Sequence, residues 1–392
     1  MSAFQKYNCQ AVFMEKQFER IFIKPFWGGL IVLLLLLCIY LFIGKFVADP
    51  VVDFTQGTLM GTWYYNLVVG YSSAFMDRDN FLPSLLIGEY GLFTMVPVYL
   101  LGLLLPLVFS FYLVLYLLRD SGLLRYISRS AHSLFRHLGL SGEGVIPLLL
   151  GFGCVTAALI SVNSLASERE RLIASILLCL AVPCSAQFAI ILAVSSILPF
   201  AYMFIYLAAI LIVFIIIGIL LNKLVPGKSS YRIPQPAPLT LPAFFSTITG
   251  AIRASRVFLV DAAPTFALGG FLMATLNYTG GFRKIHQWCS PITSGLLELP
   301  DRATDLFLLA IIKKDLGAAE LYAAVTQNSF SDAQITVVLV VMTLFVPCFA
   351  SLMVLFKDRG PIVALSTWIG SFFLSFGIGA VISRLLRLLF SP

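Results

Sequence analysis

Hydrophobic and polar positions fall along this chain in long blocks. Apolar runs occupy residues 27–47, 92–118, 172–195, 200–222, 255–277, 335–356 and 362–383. Each is close to the roughly 20 residues that cross a bilayer as a helix. Barrel strands would instead give short segments of alternating character. Two further stretches are weaker. Residues 145–166 carry Gly151 and Gly153 in their middle, and residues 303–325 are interrupted by Lys313-Lys314-Asp315. The pattern predicts an all-α polytopic membrane protein with about seven spanning helices plus two re-entrant hairpins.

Charge in the polar blocks decides how the weaker stretches run. Residues 48–91 hold Asp49, Asp53, Asp77, Asp79 and Glu89 against a single Arg78, so they read as an outside loop, with Trp63-Tyr64-Tyr65 at the interface. Residues 119–144 carry Arg119, Arg125, Arg129 and Arg136 and read as cytoplasmic. If 145–166 crossed fully, the following Glu168-Arg169-Glu170-Arg171 and the linker residues Lys223, Lys228 and Arg232 would all lie outside. Entering and returning on one side puts both basic segments inside, as the positive-inside rule favours. Residues 1–26, with Lys6, Lys16, Arg20 and Lys24 among Phe4, Phe13, Phe18 and Phe22, read as an interfacial amphipathic helix on the cytoplasmic leaflet, not as a cleavable signal.

The chain also repeats itself. Leu180-Ala-Val-Pro-Cys-Ser-Ala-Gln-Phe-Ala-Ile-Ile-Leu192 aligns without gaps on Leu344-Phe-Val-Pro-Cys-Phe-Ala-Ser-Leu-Met-Val-Leu-Phe356, sharing Leu, Val, Pro, Cys and Ala. Corresponding breaks in two halves of a membrane chain point to an internal repeat with a site between the halves. The organisation expected is scaffold helices over 27–144, a first gate repeat over 145–222, a Pro-rich cytoplasmic linker over 223–254 and a second, inverted repeat over 255–392. Inversion puts the C-terminus outside, whereas Arg384 and Arg387 favour the inside.

Composition agrees with the pattern: 59% of the 392 residues are hydrophobic and 11% charged. Soluble domains have about 45–50% and 25%. The net charge of +7 marks cytoplasmic loops and gives no reason to propose nucleic acid. The seven cysteines form no Cys-x-x-Cys pair, and Cys38, Cys154, Cys179, Cys184 and Cys348 lie in apolar segments, so no disulfide framework is expected. Gly227-Lys228-Ser229 imitates the end of a phosphate-binding loop, but Asn222 stands where the earlier glycine belongs. His132, His137 and His286 have no metalloprotease or haem spacing. Nothing proposes an enzyme or a permanently bound cofactor.

The candidate site lies where helices are interrupted. Cys154 follows Gly153, and Cys184 and Cys348 follow Pro183 and Pro347. Glycine loosens a helix and proline removes a backbone donor, freeing carbonyls at membrane depth. Thiolates favour soft or borderline transition metals, iron(II) among them. The competing reading is that small residues let membrane helices pack closely. Intramembrane charges add Lys314 and Asp315, which pair with each other or line a cation pathway, and Asp261, which otherwise snorkels to the interface.

These residues resemble the membrane (gate) domain of the ferrous iron transport protein B (FeoB) family. The resemblance rests on Gly151-Phe-Gly-Cys154, Arg169-Glu-Arg-Leu172, Cys184-Ser185-Ala186, Leu118-Arg-Asp-Ser-Gly122, Leu138-Gly-Leu-Ser-Gly142, Lys314-Asp315 and Val346-Pro-Cys348. It covers most of residues 85–390. It implies iron(II) uptake across a bacterial inner membrane, with Cys154, Cys184 and Cys348 lining or gating the path beside Gly153 and Ser185, and Asp315 as an acidic partner. The chain departs from the family pattern at Val155, Ala157-Ala158 and Gln187, and it lacks the family's N-terminal G domain. Either a separate protein supplies it, or transport here is not nucleotide-coupled, or the substrate has changed; the partners expected are the lipid bilayer and the metal substrate, with a separate G protein, a small accessory subunit or further copies of the chain as the other candidates. Two other readings stay open: a carrier of a small, nucleoside-like organic solute, and a non-transporting subunit that docks a G protein.

Overall fold

The computed structural model describes residues 44–73, 85–87, 91–227, 243–312, 314–327, 329–345 and 348–390. The interfacial helix expected over residues 1–26, most of the span expected over 27–47 and the prolines 234–242 of the linker lie outside these residues. Among the described residues every regular element is helical. Part of the expected outside loop is helical too: a π-wound helix, Gly44–Tyr64 (α1), continues into Tyr65–Ser73 (α2). The reason is a packing partner that charge counting does not register. Thr55 of α1 donates to the Gly102 carbonyl at 2.5 Å.

From there two runs of elements follow one order. The first is a span, Val98–Asp120 (α3), and a surface helix, Leu123–His137 (α4). A hairpin of Val145–Gly151 (α5) and Val155–Val162 (α6) comes next. A broken helix, Glu168–Ala181 (α7) and Ser185–Ser195 (α8), and a span, Phe200–Leu224 (α9), complete it. The second run is a span, Phe244–Tyr278 (α10), and a surface helix, Gly281–Leu296 (α11). Its hairpin is Arg302–Ile312 (α12) with Lys314–Thr326 (α13). Its broken helix is Asp332–Leu344 (α14) with Phe349–Arg359 (α15), and its last span is Pro361–Phe390 (α16). The joints correspond as well: span passes to surface helix through a glycine at positive φ in both runs, Gly122 at 78° and Gly280 at 67°. The last part of the linker expected over 223–254 is helical from Phe244 and continuous with α10, which runs on through Pro264.

Helices α3, α9, α10 and α16 are long and apolar enough to cross a membrane. The hairpin arms are not. At 1.5 Å per residue the seven residues of α5 and eight of α6 reach roughly 10–12 Å into a core about 30 Å thick. They enter and return, and contacts at their ends agree. Arg169, just after the first hairpin, donates to the carbonyls of Gly139 at 3.4 Å, Asn222 at 2.6 Å and Val225 at 3.0 Å. The chain before the hairpin, the chain after it and the end of α9 therefore share one face. With Arg125 and Arg136 exposed on α4, this is the basic face, cytoplasmic by the positive-inside rule.

The second hairpin is tied at the opposite face. Arg302 donates to Gln327 Oε1 at 3.2 Å and Ser329 Oγ at 3.1 Å, and Ser383 of α16 donates to the Leu297 carbonyl at 3.1 Å. Arg387 pairs there with Glu298. That neutralised charge is how a basic residue sits at the end where inversion places the C-terminus.

At the basic face the two runs are clamped together. Asn163, at the end of α6, donates to Asp358 Oδ2 at 2.7 Å and accepts from Arg359 Nη2 at 2.7 Å. Glu168 takes Arg359 at 3.5 Å and Arg171 at 2.5 Å. Asn163→Ala deletes both amide bonds. Because Asn163 is exposed, the expected cost is about 1–2 kcal/mol, at the low end for bonds to charged groups. It should appear as a lower unfolding midpoint in detergent, and an unchanged midpoint would show that water replaces the clamp without loss.

Candidate functional site

Each interruption ends in a cysteine, and at the two broken helices a proline stands directly before it in the sequence. Proline forces the residue before it out of the helical region. Val182, before Pro183, lies at φ −102°, ψ 111°, and Cys184 at φ −83°, ψ 173° then opens α8. In the second repeat Phe345 lies at φ −83°, ψ 122° and Cys348 at φ −56°, ψ 157° opens α15. In the hairpin Cys154 at φ −147°, ψ 115° opens α6. All three cysteines are therefore N-caps of half-helices, a position usually held by Ser, Thr, Asp or Asn. Pro347 lies outside the described residues.

The three caps are brought together by contacts between elements distant in sequence. The Gly153 carbonyl, released where the hairpin opens, accepts from Ser185 N at 3.2 Å, joining hairpin tip to first break. Thr156 Oγ1 lies 3.8 Å from Cys348 Sγ, joining hairpin tip to second break. Gln187 joins the two breaks: its Oε1 accepts from Cys184 N at 3.1 Å, and its Nε2 donates to the Met342 carbonyl at 2.6 Å. Behind them Tyr206 OH and Thr343 Oγ1 are 3.0 Å apart. Cys154 is within electrostatic reach of both Cys348 and Cys184. The glycines permit this approach: a Cβ on Gly151 would fall 2.4 Å from Leu178 Cδ2, and one on Gly153 2.3 Å from the Phe111 ring.

The remaining candidates are placed elsewhere. Asp261 pairs with Lys357 at 2.9 Å, tying α10 to the end of α15. Lys314 and Asp315 begin α13 at the turn of the second hairpin, and their side chains lie outside the described residues. Ser185 and Gly153 take part through their backbones. Sequence reasoning passed over Thr156 and Ser351 and treated Gln187 only as a departure from a pattern. A signal was present, since Gln187 and Ser351 stand at the same offset, three residues after each Pro-Cys.

Chemically the junction offers three sulfurs, several hydroxyls and three half-helix N-termini. The partial positive charge of those termini favours negative or electron-rich groups, so a cation can rest there only with ligands that bring negative charge. Among the described residues no three His, Cys, Asp or Glu side chains stand close enough together to hold a metal ion. The cysteines share one junction without forming a closed all-sulfur cage.

Comparison with known proteins places this junction in a family context. A family model described as "Gate: Nucleoside recognition" matches residues 101–198, which run from α3 through the first hairpin and first break. Proteins named Fe(2+) transporter FeoB are similar over longer stretches. That of Methanocaldococcus jannaschii is 23% identical over 318 residues, covering 73% of this chain and 48% of the relative. That of Salmonella typhimurium is 26% identical over 231 residues, covering 53% and 28%. That of Staphylococcus aureus is 24% identical over 181 residues, covering 45% and 27%. The chain thus spans 27% to 48% of the length of these relatives. No solved structure matches. The chain is therefore similar to the Gate family over residues 101–198, and to the proteins named Fe(2+) transporter FeoB over longer stretches at 23% to 26% identity.

Proposed function

We propose that this protein transports a divalent transition metal, iron(II) foremost, across the bacterial inner membrane through the junction of its two repeats. The observation that carries the reading is a junction where the hairpin tip touches both breaks and where Cys154, Cys184 and Cys348 each cap a half-helix. Sulfur ligands suit borderline divalent metals, and a site at the interface of inverted repeats suits alternating access. The name of the relatives, Fe(2+) transporter, supports the choice of metal. In this reading the chain is a carrier and not an enzyme, and a G protein, a small accessory subunit or further copies of the chain would assemble on it.

The test is uptake of iron(II) into proteoliposomes under reducing, anaerobic conditions. Saturable uptake well above that of protein-free vesicles is expected. A rate equal to that of empty vesicles would overturn the reading. A second reading is favoured by the family description and by the half-helix N-termini: a nucleoside-like solute bound by its polar groups. Thermal stabilisation by a nucleoside, with none by iron(II), would select it.

A further inference from the structure

Three cations gather at the end of α9. Asn222, in the last turn of that helix, donates from Nδ2 to the His137 carbonyl at 3.1 Å and accepts from Arg169 Nη2 at its side-chain oxygen at 2.7 Å. The ends of α4 and α9 and the start of α7 are thereby held together. Arg136 stands beside His137 in the chain and Lys223 beside Asn222, so both reach the place where Arg169 is bound.

The three are not equivalent. Arg169 is partly buried and donates to the carbonyls of Gly139, Asn222 and Val225. Such carbonyls carry the partial negative charge of helix C-termini, and Arg169 answers it. Arg136 and Lys223 are exposed. Among the described residues neither forms an ion pair, and Glu168, the acid next to Arg169, is taken by Arg171 and Arg359.

The surface that leads away from Lys223 is apolar. Ile212, Ile216 and Leu220 of α9 are each more than half exposed. Their spacing of four puts them on one face of the helix, and Lys223 continues that face. From Ile212 to Lys223 the helix rises about 16 Å, close to one leaflet's share of a hydrocarbon core about 30 Å thick. An occupant matching both parts is anionic at one end and apolar along the rest. An acidic protein or a free phosphate would meet the cations and leave the strip bare.

We infer that the junction of α4 and α9 binds an anionic phospholipid, its phosphate held by Arg136 and Lys223 and an acyl chain lying along Ile212, Ile216 and Leu220. Basic groups at the ends of membrane helices attract anionic headgroups in this way. The inference is independent of what the protein transports.

The experiment adds phosphatidylglycerol, or phosphatidylcholine with the same acyl chains, to the purified full chain in non-ionic detergent and follows the unfolding midpoint. Phosphatidylglycerol should raise the midpoint at the lower concentration. Lys223→Gln and Arg136→Gln should each increase the phosphatidylglycerol concentration for half the rise about fivefold, the worth of one cation near an anionic surface. Both side chains are exposed, so both variants should fold, and Lys223→Arg should behave as the wild type. Arg283→Gln removes an equally exposed cation from α11 and should change the response less than twofold. The inference is overturned by equal responses to the two lipids, by an unchanged response in both Gln variants at 136 and 223, by an equal weakening in Arg283→Gln, or by inorganic phosphate reproducing the full rise.

Discussion

Serine at positions 154, 184 and 348 together is expected to bring iron(II) uptake in proteoliposomes down to the rate of protein-free vesicles. The substitution keeps side-chain size and hydrogen bonding, and serine is a better N-cap than cysteine, so the half-helices should still start where they do. What disappears is the soft donor at all three convergent caps. Among the single changes, Cys348→Ser should cost most, because its sulfur has Thr156 and Ser351 beside it. Cys179→Ser is the control: Cys179 is buried within α7, ahead of the break, and should leave uptake unchanged. Cys289, on the surface helix α11 and away from the three interruptions, is a second control. Wild-type uptake by a folded triple variant would mean that the cysteines only pack.

Gly142→Ala is expected to give the largest loss of stability of any single methyl addition near the first hairpin. A Cβ at Gly142 would lie 2.1 Å from the Ser128 carbonyl oxygen and 2.9 Å from its carbon. The obstruction is the backbone of α4, so no rotamer change relieves it, and α4 must lift from the hairpin base. That movement breaks the bond from Gly142 N to His132 Nδ1 at 3.1 Å and uncovers Tyr126, Ile127 and Val145, which pack there. Overpacking costs about 1–3 kcal/mol where neighbours can shift, and the upper end is expected here. The measurement is the unfolding midpoint of the purified protein in detergent. Gly370→Ala is the comparison, because a Cβ there meets nothing within 4 Å. Equal midpoints for the two variants would show that α4 does not press on the hairpin.

Much of this arrangement could be read from residue order. The continuous spans follow from apolar length, and the first hairpin follows from the charges of Arg169 and Arg171, which had to stay on the side of Arg125 and Arg129. Pro183 and Pro347 marked the breaks because proline acts on its own neighbours. What was not legible depended on partners far along the chain. The helix over Gly44–Ser73 looked like a loop because its acidic residues were visible and its packing on α3 was not. Asp261 read as either a pathway charge or an interfacial one, and its partner Lys357, 96 residues away, could not be seen. Glu298, which pairs with Arg387 from 89 residues away, was likewise out of view. At the site, Cys154, Cys184 and Cys348 stood out by their breaks. Thr156 and Ser351 did not, because a lone hydroxyl in a helix ordinarily bonds to its own backbone.

The bond from Gln187 to the Met342 carbonyl also bears on how the chain is made. Its two ends are 155 residues apart in sequence. As the protein emerges from the ribosome, the first broken helix enters hydrocarbon with a buried amide whose acceptor has not been synthesised. Leaving that donor unmet in lipid is costly. That bond cannot form before α14 has been made, so the first break acquires its last partner only when the second repeat is nearly complete.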